Sequence, residues 1–198
     1  MARTAPASVE ALKASIASRP SRRIFIRGYT RAATLVPIVE REGKLCLVFT
    51  ARSAELSKHA GQISFPGGTR ERKDRSAAAA ALRETSEELG LDPKAVTPLG
   101  RLDDVAVPTG FVITPVAGWL GELRRFKPDR REVRKVITVP LSELADPERF
   151  RCLGTARTAG RPHQRYEFRA RGIRVWGATA RTVHDLLTRL GWPGSFLY

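Results

Sequence analysis

Two apolar runs near the start of the chain, residues 32–40 and 44–51, have the composition of β-strands. The polar segment Arg41-Glu42-Gly43 between them predicts a hairpin turn. In the second run, apolar residues occupy both alternating sets of positions. This strand is therefore expected to be buried on both faces, through Leu45, Leu47 and Phe49 on one face and Cys46 and Val48 on the other.

The same kind of pattern predicts further strands, over residues 96–102, 111–120, 133–139, 165–170 and 172–176. A helical period of apolar residues predicts helices over 8–17 and 178–190, and a short helix is expected at 141–144. Residues 151–164 are rich in glycine and arginine, which predicts a mobile loop. The order of these elements indicates an α+β protein rather than regular βαβ alternation.

The length of 198 residues predicts one main domain, over 26–198, preceded by an N-terminal helix and lead-in over 1–25. The chain contains no apolar run of about 20 residues and no apolar core of the signal-peptide type, so no membrane partner is expected. Cys46 and Cys152 are far apart in the sequence and are expected to be free thiols. These features together predict a cytoplasmic protein.

The formal net charge of +15 comes from 35 basic and 20 acidic residues. Such a charge favours anionic partners, although a basic surface without a specific partner explains it equally well. Aromatic residues are only 7% of the chain, whereas single-stranded nucleic acid is usually bound by bases stacking on aromatic side chains. The charge therefore permits nucleic-acid binding without favouring it.

Three carboxylates, Glu84, Glu87 and Glu88, have the spacing i, i+3, i+4. On a helix these positions share one face with Cβ atoms about 5–6 Å apart, and like charges so placed destabilise the helix. A hard divalent cation reverses this penalty, because magnesium prefers oxygen ligands. A solvated acidic helix face is the alternative that the three residues alone leave open.

The neighbouring residues favour the metal. Gly67-Gly68 precedes the helix, and paired glycines let the backbone approach a ligand closely. Ser76 is expected to cap the helix, and Gly90 fits the position just beyond its end. A glycine turn followed by a capped helix with one acidic face predicts a metal–phosphate site.

This segment resembles the Nudix box, the signature of hydrolases that cleave nucleoside diphosphates linked to another group. Six residues match: Arg83, Glu84, Glu87, Glu88, Gly90 and Leu91. The chain departs from the box at Thr85, where an apolar residue is usual, and at Arg75, where a glutamate is usual. Gly68 also lies one residue further from Arg83 than in the general box. This extension, with Asp74 as the acidic member, is similar to one branch of the family.

Residues 47–53, Leu56 and residues 59–68 resemble the additional motif of the coenzyme A pyrophosphatases. These enzymes split coenzyme A into 3′,5′-ADP and 4′-phosphopantetheine. Weaker resemblance extends from about residue 30 to residue 188. It implies the Nudix α/β/α sandwich with a mixed β-sheet, within one Nudix domain over 26–198.

The resemblance also implies roles for individual residues. Magnesium or manganese would be held by Glu84, Glu87 and Glu88 together with the Gly67 carbonyl. One of these carboxylates, or Glu132, would deprotonate the attacking water, and Arg83 would tie down the preceding loop through Glu71 or Asp74. Substrate binding is expected from a set of residues that shares Gly67 with the metal ligands: Arg52, His59, Gly67, Gly68 and Phe111. For His59 and Phe111, structural roles in a loop and in the core remain the alternatives.

Two other functions are compatible with the same residues. One is hydrolysis of a different nucleotide, such as ADP-ribose, a dinucleotide or capped RNA. The other is a non-catalytic module that binds a nucleotide. The apolar tail, residues 191–198, is expected to cover the core or a second subunit, so a homodimer is also left open.

Overall fold

The structure is a computed structural model that describes residues 8–53, 61–122 and 125–191. The predicted site residue His59 and the apolar tail beyond Gly191 lie outside the described residues. The helices are α1 (Val9–Ile16), α2 (Ala77–Leu89), α3 (Leu141–Leu144) and α4 (Gly177–Arg189). The strands are β1 (Thr30–Arg41), β2 (Lys44–Arg52), β3 (Ile63–Ser64), β4 (Gly67–Thr69), β5 (Thr97–Arg101), β6 (Val105–Val107), β7 (Phe111–Glu122), β8 (Val133–Pro140), β9 (Phe150–Thr158), β10 (Arg161–Ala170) and β11 (Ile173–Trp176).

The larger sheet is mixed, as predicted, and is built around β1. This strand pairs in parallel with β7 and antiparallel with β2 and β4. On one side β2 pairs with β3 and β8, and on the other side β7 pairs with β5 and β6. A strand that is covered on both faces has apolar residues at nearly every position. This is why both alternating sets of residues in β2 are apolar.

Helices and a second sheet cover the two faces of this mixed sheet. Helix α2 packs against one face through Ala77, Ala80 and Ala81, which contact the β1 and β2 side chains of that face. Helices α1 and α4 pack on the other face, where Leu12 and Ile16 of α1 are each 1% exposed. The α/β/α arrangement expected from the sequence is therefore confirmed.

The prediction of a mobile loop at residues 151–164 is wrong. These residues form most of a β9–β10 hairpin, which joins β11 in a three-stranded antiparallel sheet. Most side chains of β9 are exposed, so no alternation of apolar and polar residues marks the strand. The turn has positive φ at Ala159 (47°) and Gly160 (74°), as two-residue hairpin turns require, without the usual Asn-Gly signal.

Helix α2 begins and ends where the sequence predicts. The Ser76 hydroxyl accepts a hydrogen bond from the Ala79 N–H at 3.1 Å, and Gly90 ends the helix at φ 62°. No helix within the described ranges is both long and apolar enough to cross a bilayer. Helix α2 and strand β4 are the elements that carry the predicted carboxylates and glycines.

Candidate active site

Arg83 anchors the loop that precedes α2, as the sequence predicts. Its guanidinium donates to both carboxylate oxygens of Asp74, at 3.2 and 3.0 Å, and to the Thr69 carbonyl at 3.1 Å. Asp74 is buried and also accepts a hydrogen bond from the Glu71 N–H at 2.8 Å. The bond from Arg83 is the main reason that the pKa of Asp74 is lowered. The carboxylate therefore stays ionised and fixes the loop to the helix.

The same guanidinium faces two of the three predicted metal ligands. Its Nη1 lies 2.9 Å from Glu84 Oε1 and 3.3 Å from Glu87 Oε2. Within the part of the chain that the structure describes, no group of three or more acidic, histidine or cysteine side chains is arranged so that it could hold a metal ion. Glu84 and Glu87 are instead both paired with Arg83, whose positive charge offsets the repulsion between them.

Glu88 is buried within the predicted site. Its carboxylate accepts a hydrogen bond from the Gly67 N–H, while Oε2 is buried and has no hydrogen-bond partner among the described residues. Burial is the main reason that the pKa of Glu88 is raised to about 8; Glu132 and Glu84 contribute to the rise, and the Gly67 N–H and Arg52 oppose it. A buried oxygen atom without a hydrogen-bond partner is energetically unfavourable. Glu88 Oε2 is therefore available as a ligand for a cation.

The charge of Glu132 acts on both Glu84 and Glu88. This residue precedes β8, and its backbone carbonyl accepts a hydrogen bond from the Ser53 N–H at 2.8 Å. Burial raises the pKa of Glu84, Arg83 lowers it, and Glu87 and Glu132 raise it again. Glu84, Glu88 and Glu132 thus repel one another across a shared space. Carboxylate oxygens are the ligands that a hard divalent cation prefers, and such a cation would remove the repulsion and satisfy Glu88 Oε2.

The two glycines of β4 let the strand lie against β1 and α2. A Cβ on Gly67 (φ 149°) would overlap the Ala33 carbonyl oxygen. A Cβ on Gly68 would overlap the Glu84 carboxylate. The pair is therefore required by close packing, and Gly68 sets the position of Glu84.

The Gly68→Ala variant is expected to lose about tenfold in hydrolytic kcat/KM, since displacing a group that orients a metal ligand costs that much. The control is Gly43→Ala, in the β1–β2 turn at φ 71° with no neighbour near the added Cβ. Gly43→Ala should lower the melting temperature and keep kcat/KM. Equal kcat/KM for Gly68→Ala and wild type would show that Glu84 is not held by this contact.

A cleft of about 550 Å³ is lined by Gly67 and Gly68, which adjoin Glu88 and Glu84, whereas the α2 carboxylates are not among its lining residues. Four of the five predicted substrate-binding residues line it: Arg52, Gly67, Gly68 and Phe111. The Nε atom of Arg52 is buried without a hydrogen-bond partner in the described ranges, which suits donation to a bound anion. The structure therefore brings these four residues together next to the α2 carboxylates.

The opposite wall comes from elements that the sequence reasoning did not connect to the site. His163 and Arg165 of β10 line the cleft, together with Trp176 at the end of β11 and Arg181 of α4. Trp176 is 44% exposed, which is unusual for so large an apolar side chain. Trp176 ends the strand predicted over residues 172–176, but nothing in the sequence indicated that its side chain lines this cleft.

Comparisons with known proteins agree on one family. The profile of the NUDIX domain matches residues 28–151. The "Uncharacterized Nudix hydrolase NudL" of Pectobacterium atrosepticum is 39% identical over 160 residues, which cover 81% of this chain and 82% of that protein. The Escherichia coli protein of the same name is 37% identical over 163 residues, covering 82% and 84%. The solved Nudix hydrolase RenU of M. smegmatis is 25% identical, with a TM-score of 0.51, covering 61% of this chain and 76% of that one.

Proposed function

The chain belongs to the Nudix hydrolase family, and on that basis we propose that it cleaves the pyrophosphate of coenzyme A, releasing 3′,5′-ADP and 4′-phosphopantetheine. Family membership makes it a pyrophosphohydrolase. The choice of coenzyme A is supported by the similarity of residues 47–68 to the motif of the coenzyme A pyrophosphatases. It is also supported by the basic cleft in which Arg52, Gly67 and Gly68 lie together.

Nudix hydrolases generally need divalent cations, and we propose magnesium or manganese here. The observation that carries the proposal is the buried Glu88 carboxylate, which has an oxygen without a hydrogen-bond partner and a pKa raised by the charges of Glu132 and Glu84 as well as by burial. Glu84 and Glu88 are the proposed main ligands, with the Gly67 carbonyl and the more exposed Glu87 completing the set. When bound, the cation neutralises phosphate charge and lowers the pKa of a bound water.

The side chains of this chain supply binding and proton transfer. The guanidinium of Arg52 donates to a phosphate oxygen through the Nε that lacks a partner. Phe111 lies on the cleft wall, where it can flank the adenine ring. Glu132 takes the proton of the attacking water, a role supported by its exposure and by the effect of its charge on Glu84 and Glu88. Arg83 keeps Glu84 and Glu87 oriented when no substrate is bound.

A mass-resolved hydrolysis assay tests the substrate. Coenzyme A, ADP-ribose, NADH and a diadenosine polyphosphate are each supplied with magnesium and with manganese. We expect 3′,5′-ADP and 4′-phosphopantetheine from coenzyme A. Turnover of another nucleotide but not of coenzyme A would retain the Nudix site and reject the substrate assignment.

We also assign the protein to the cytoplasm. Cys46 and Cys152 are free thiols, and Cys46 is buried in β2. Unpaired cysteines persist in reducing compartments, where disulfides are rare.

A further inference from the structure

A second cleft, of about 700 Å³, adjoins the substrate cleft. Both clefts are lined by Ala106, His163 and Arg181, so they meet along this shared wall. The second cleft is also lined by four more arginines, namely Arg19, Arg22, Arg23 and Arg161. A ligand held beside the α2 carboxylates can therefore extend past Arg181 into a basic environment.

Most carboxylates near this second cleft are already paired with arginines. Asp104 contacts Arg31 and Arg101, both at 3.2 Å. Asp103 and Asp185 each contact Arg19 and the buried Arg189. Asp103 also lies 3.7 Å from Arg22. Each acidic residue that lines the second cleft is therefore already paired with an arginine. None of them is left to form an ion pair with the remaining arginines.

Three lining arginines make no ion pair with any described residue: Arg23, Arg161 and Arg181. Arg181 is the most enclosed of them, half-buried on α4 between the two clefts. Within the described residues, the only hydrogen bond of its guanidinium goes to the Ala106 carbonyl, at 3.3 Å. Burial lowers the pKa of Arg181, and the charge of Arg22 lowers it further. A converging set of cations with no counter-ion is stabilised by a bound anion.

We propose that this second cleft binds a phosphomonoester of the substrate that is separate from the cleaved pyrophosphate, through Arg181, Arg161 and Arg23. The inference builds on the proposed function, since coenzyme A carries such a group as its 3′-phosphate. Guanidinium groups match phosphate geometry and retain their charge when partly buried. The subsite makes the enzyme selective for nucleotides that carry this additional phosphate.

A binding measurement tests the subsite independently of catalysis. The affinities of 3′,5′-ADP and 5′-AMP for the metal-free protein are compared by calorimetry, because the two ligands differ only in the 3′-phosphate. We expect 3′,5′-ADP to bind at least about tenfold more tightly, the ratio that one charge-assisted hydrogen bond supplies. Equal affinities would overturn the proposal.

Variants then assign the preference to these residues. Arg181→Gln is expected to remove most of it, and Arg161→Gln, at an exposed position that tolerates substitution, to reduce it. Arg151→Gln is the matched control, since Arg151 lies in β9 of the same small sheet and lines neither cleft. An unchanged preference in both Arg181→Gln and Arg161→Gln would reject the assignment.

Hydrolysis separates this inference from the proposed function. We expect wild type to prefer coenzyme A over 3′-dephospho-coenzyme A in kcat/KM by at least about tenfold, and Arg181→Gln to lose this preference. Equal turnover of both substrates would keep the proposed reaction and overturn the subsite. Absence of turnover with selective 3′,5′-ADP binding would reject the reaction and keep the subsite.

Discussion

Replacing Glu88 by Gln is expected to lower hydrolytic kcat/KM by about 10²–10³-fold, the loss that follows removal of one preorganised charged group from an active site. The substitution keeps the size of the side chain and an oxygen that can accept the Gly67 N–H. It removes the negative charge that the buried Oε2 would present to a cation. The measurement is steady-state hydrolysis with magnesium and with manganese.

Glu148→Gln is the control for this experiment. Glu148 is exposed in the turn after α3, outside the cleft beside the α2 carboxylates, and its replacement should leave kcat/KM unchanged. If Glu88→Gln hydrolysed the substrate at the wild-type rate, Glu88 would have no part in the reaction.

The stability of the metal-free protein gives a second readout of the same variant. Glu88 has a pKa of about 8 in the folded protein, against 4.5 for an ordinary glutamate. Between these values the unfolded chain is ionised while the folded protein keeps the proton, so wild-type stability falls as pH rises. With a chelator present, Glu88→Gln should therefore melt above wild type at pH 9 and close to it at pH 4. Added manganese should stabilise wild type more than the variant.

Much of α2 could be predicted because its signals are local in sequence. Ser76 and Gly90 act within one turn of the helix, and the spacing of the carboxylates fixes their common face. Thr85, the departure from the box, is fully buried and donates its hydroxyl to the Ala81 carbonyl at 2.7 Å. The helix thus accommodates a polar side chain without an unsatisfied group.

The sequence could not indicate how deeply each of the three carboxylates of α2 is buried. Their spacing is the same whichever of them is buried, yet the Glu87 side chain is 58% exposed and that of Glu84 is 18% exposed. The difference arises from β4, whose glycines approach Glu84 and Glu88 from a segment that precedes the helix. Burial of this kind depends on tertiary packing, which the helical period does not encode.

The far wall of the cleft was missed for the same reason. Arg165, Trp176 and Arg181 reach the site from a region about 80 to 100 residues after α2 in the sequence. They meet the site only because the β9–β10–β11 sheet folds beside β3 and α4 packs on the mixed sheet. The hairpin of β10 and β11 was predicted from its apolar residues, whereas β9 has mostly exposed side chains and therefore lacked the alternating pattern that predicts a strand.

Replacing Arg189 by Met is expected to lower the free energy of unfolding by about 3–5 kcal/mol, the usual cost of removing one partner from a buried ion pair. The Arg189 side chain is 0% exposed and contacts Asp103 at 2.8 Å and Asp185 at 3.1 Å. It also donates to the backbone carbonyls of Ile16 and Arg19, at 2.7 and 2.8 Å. One guanidinium therefore joins the end of α1, the loop after β5 and helix α4.

Urea unfolding measures the effect, with Arg149→Met as the matched control. Arg149 pairs with Asp146 at 3.1 Å on the surface, where such pairs contribute at most about 1 kcal/mol. Equal losses in the two variants would mean that burial of Arg189 adds nothing to the free energy of unfolding.

The two variants should also differ in function, because Asp103 lines the second cleft and α4 carries Arg181. Loosening this network displaces Arg181, so Arg189→Met should bind 3′,5′-ADP more weakly even at temperatures where it remains folded.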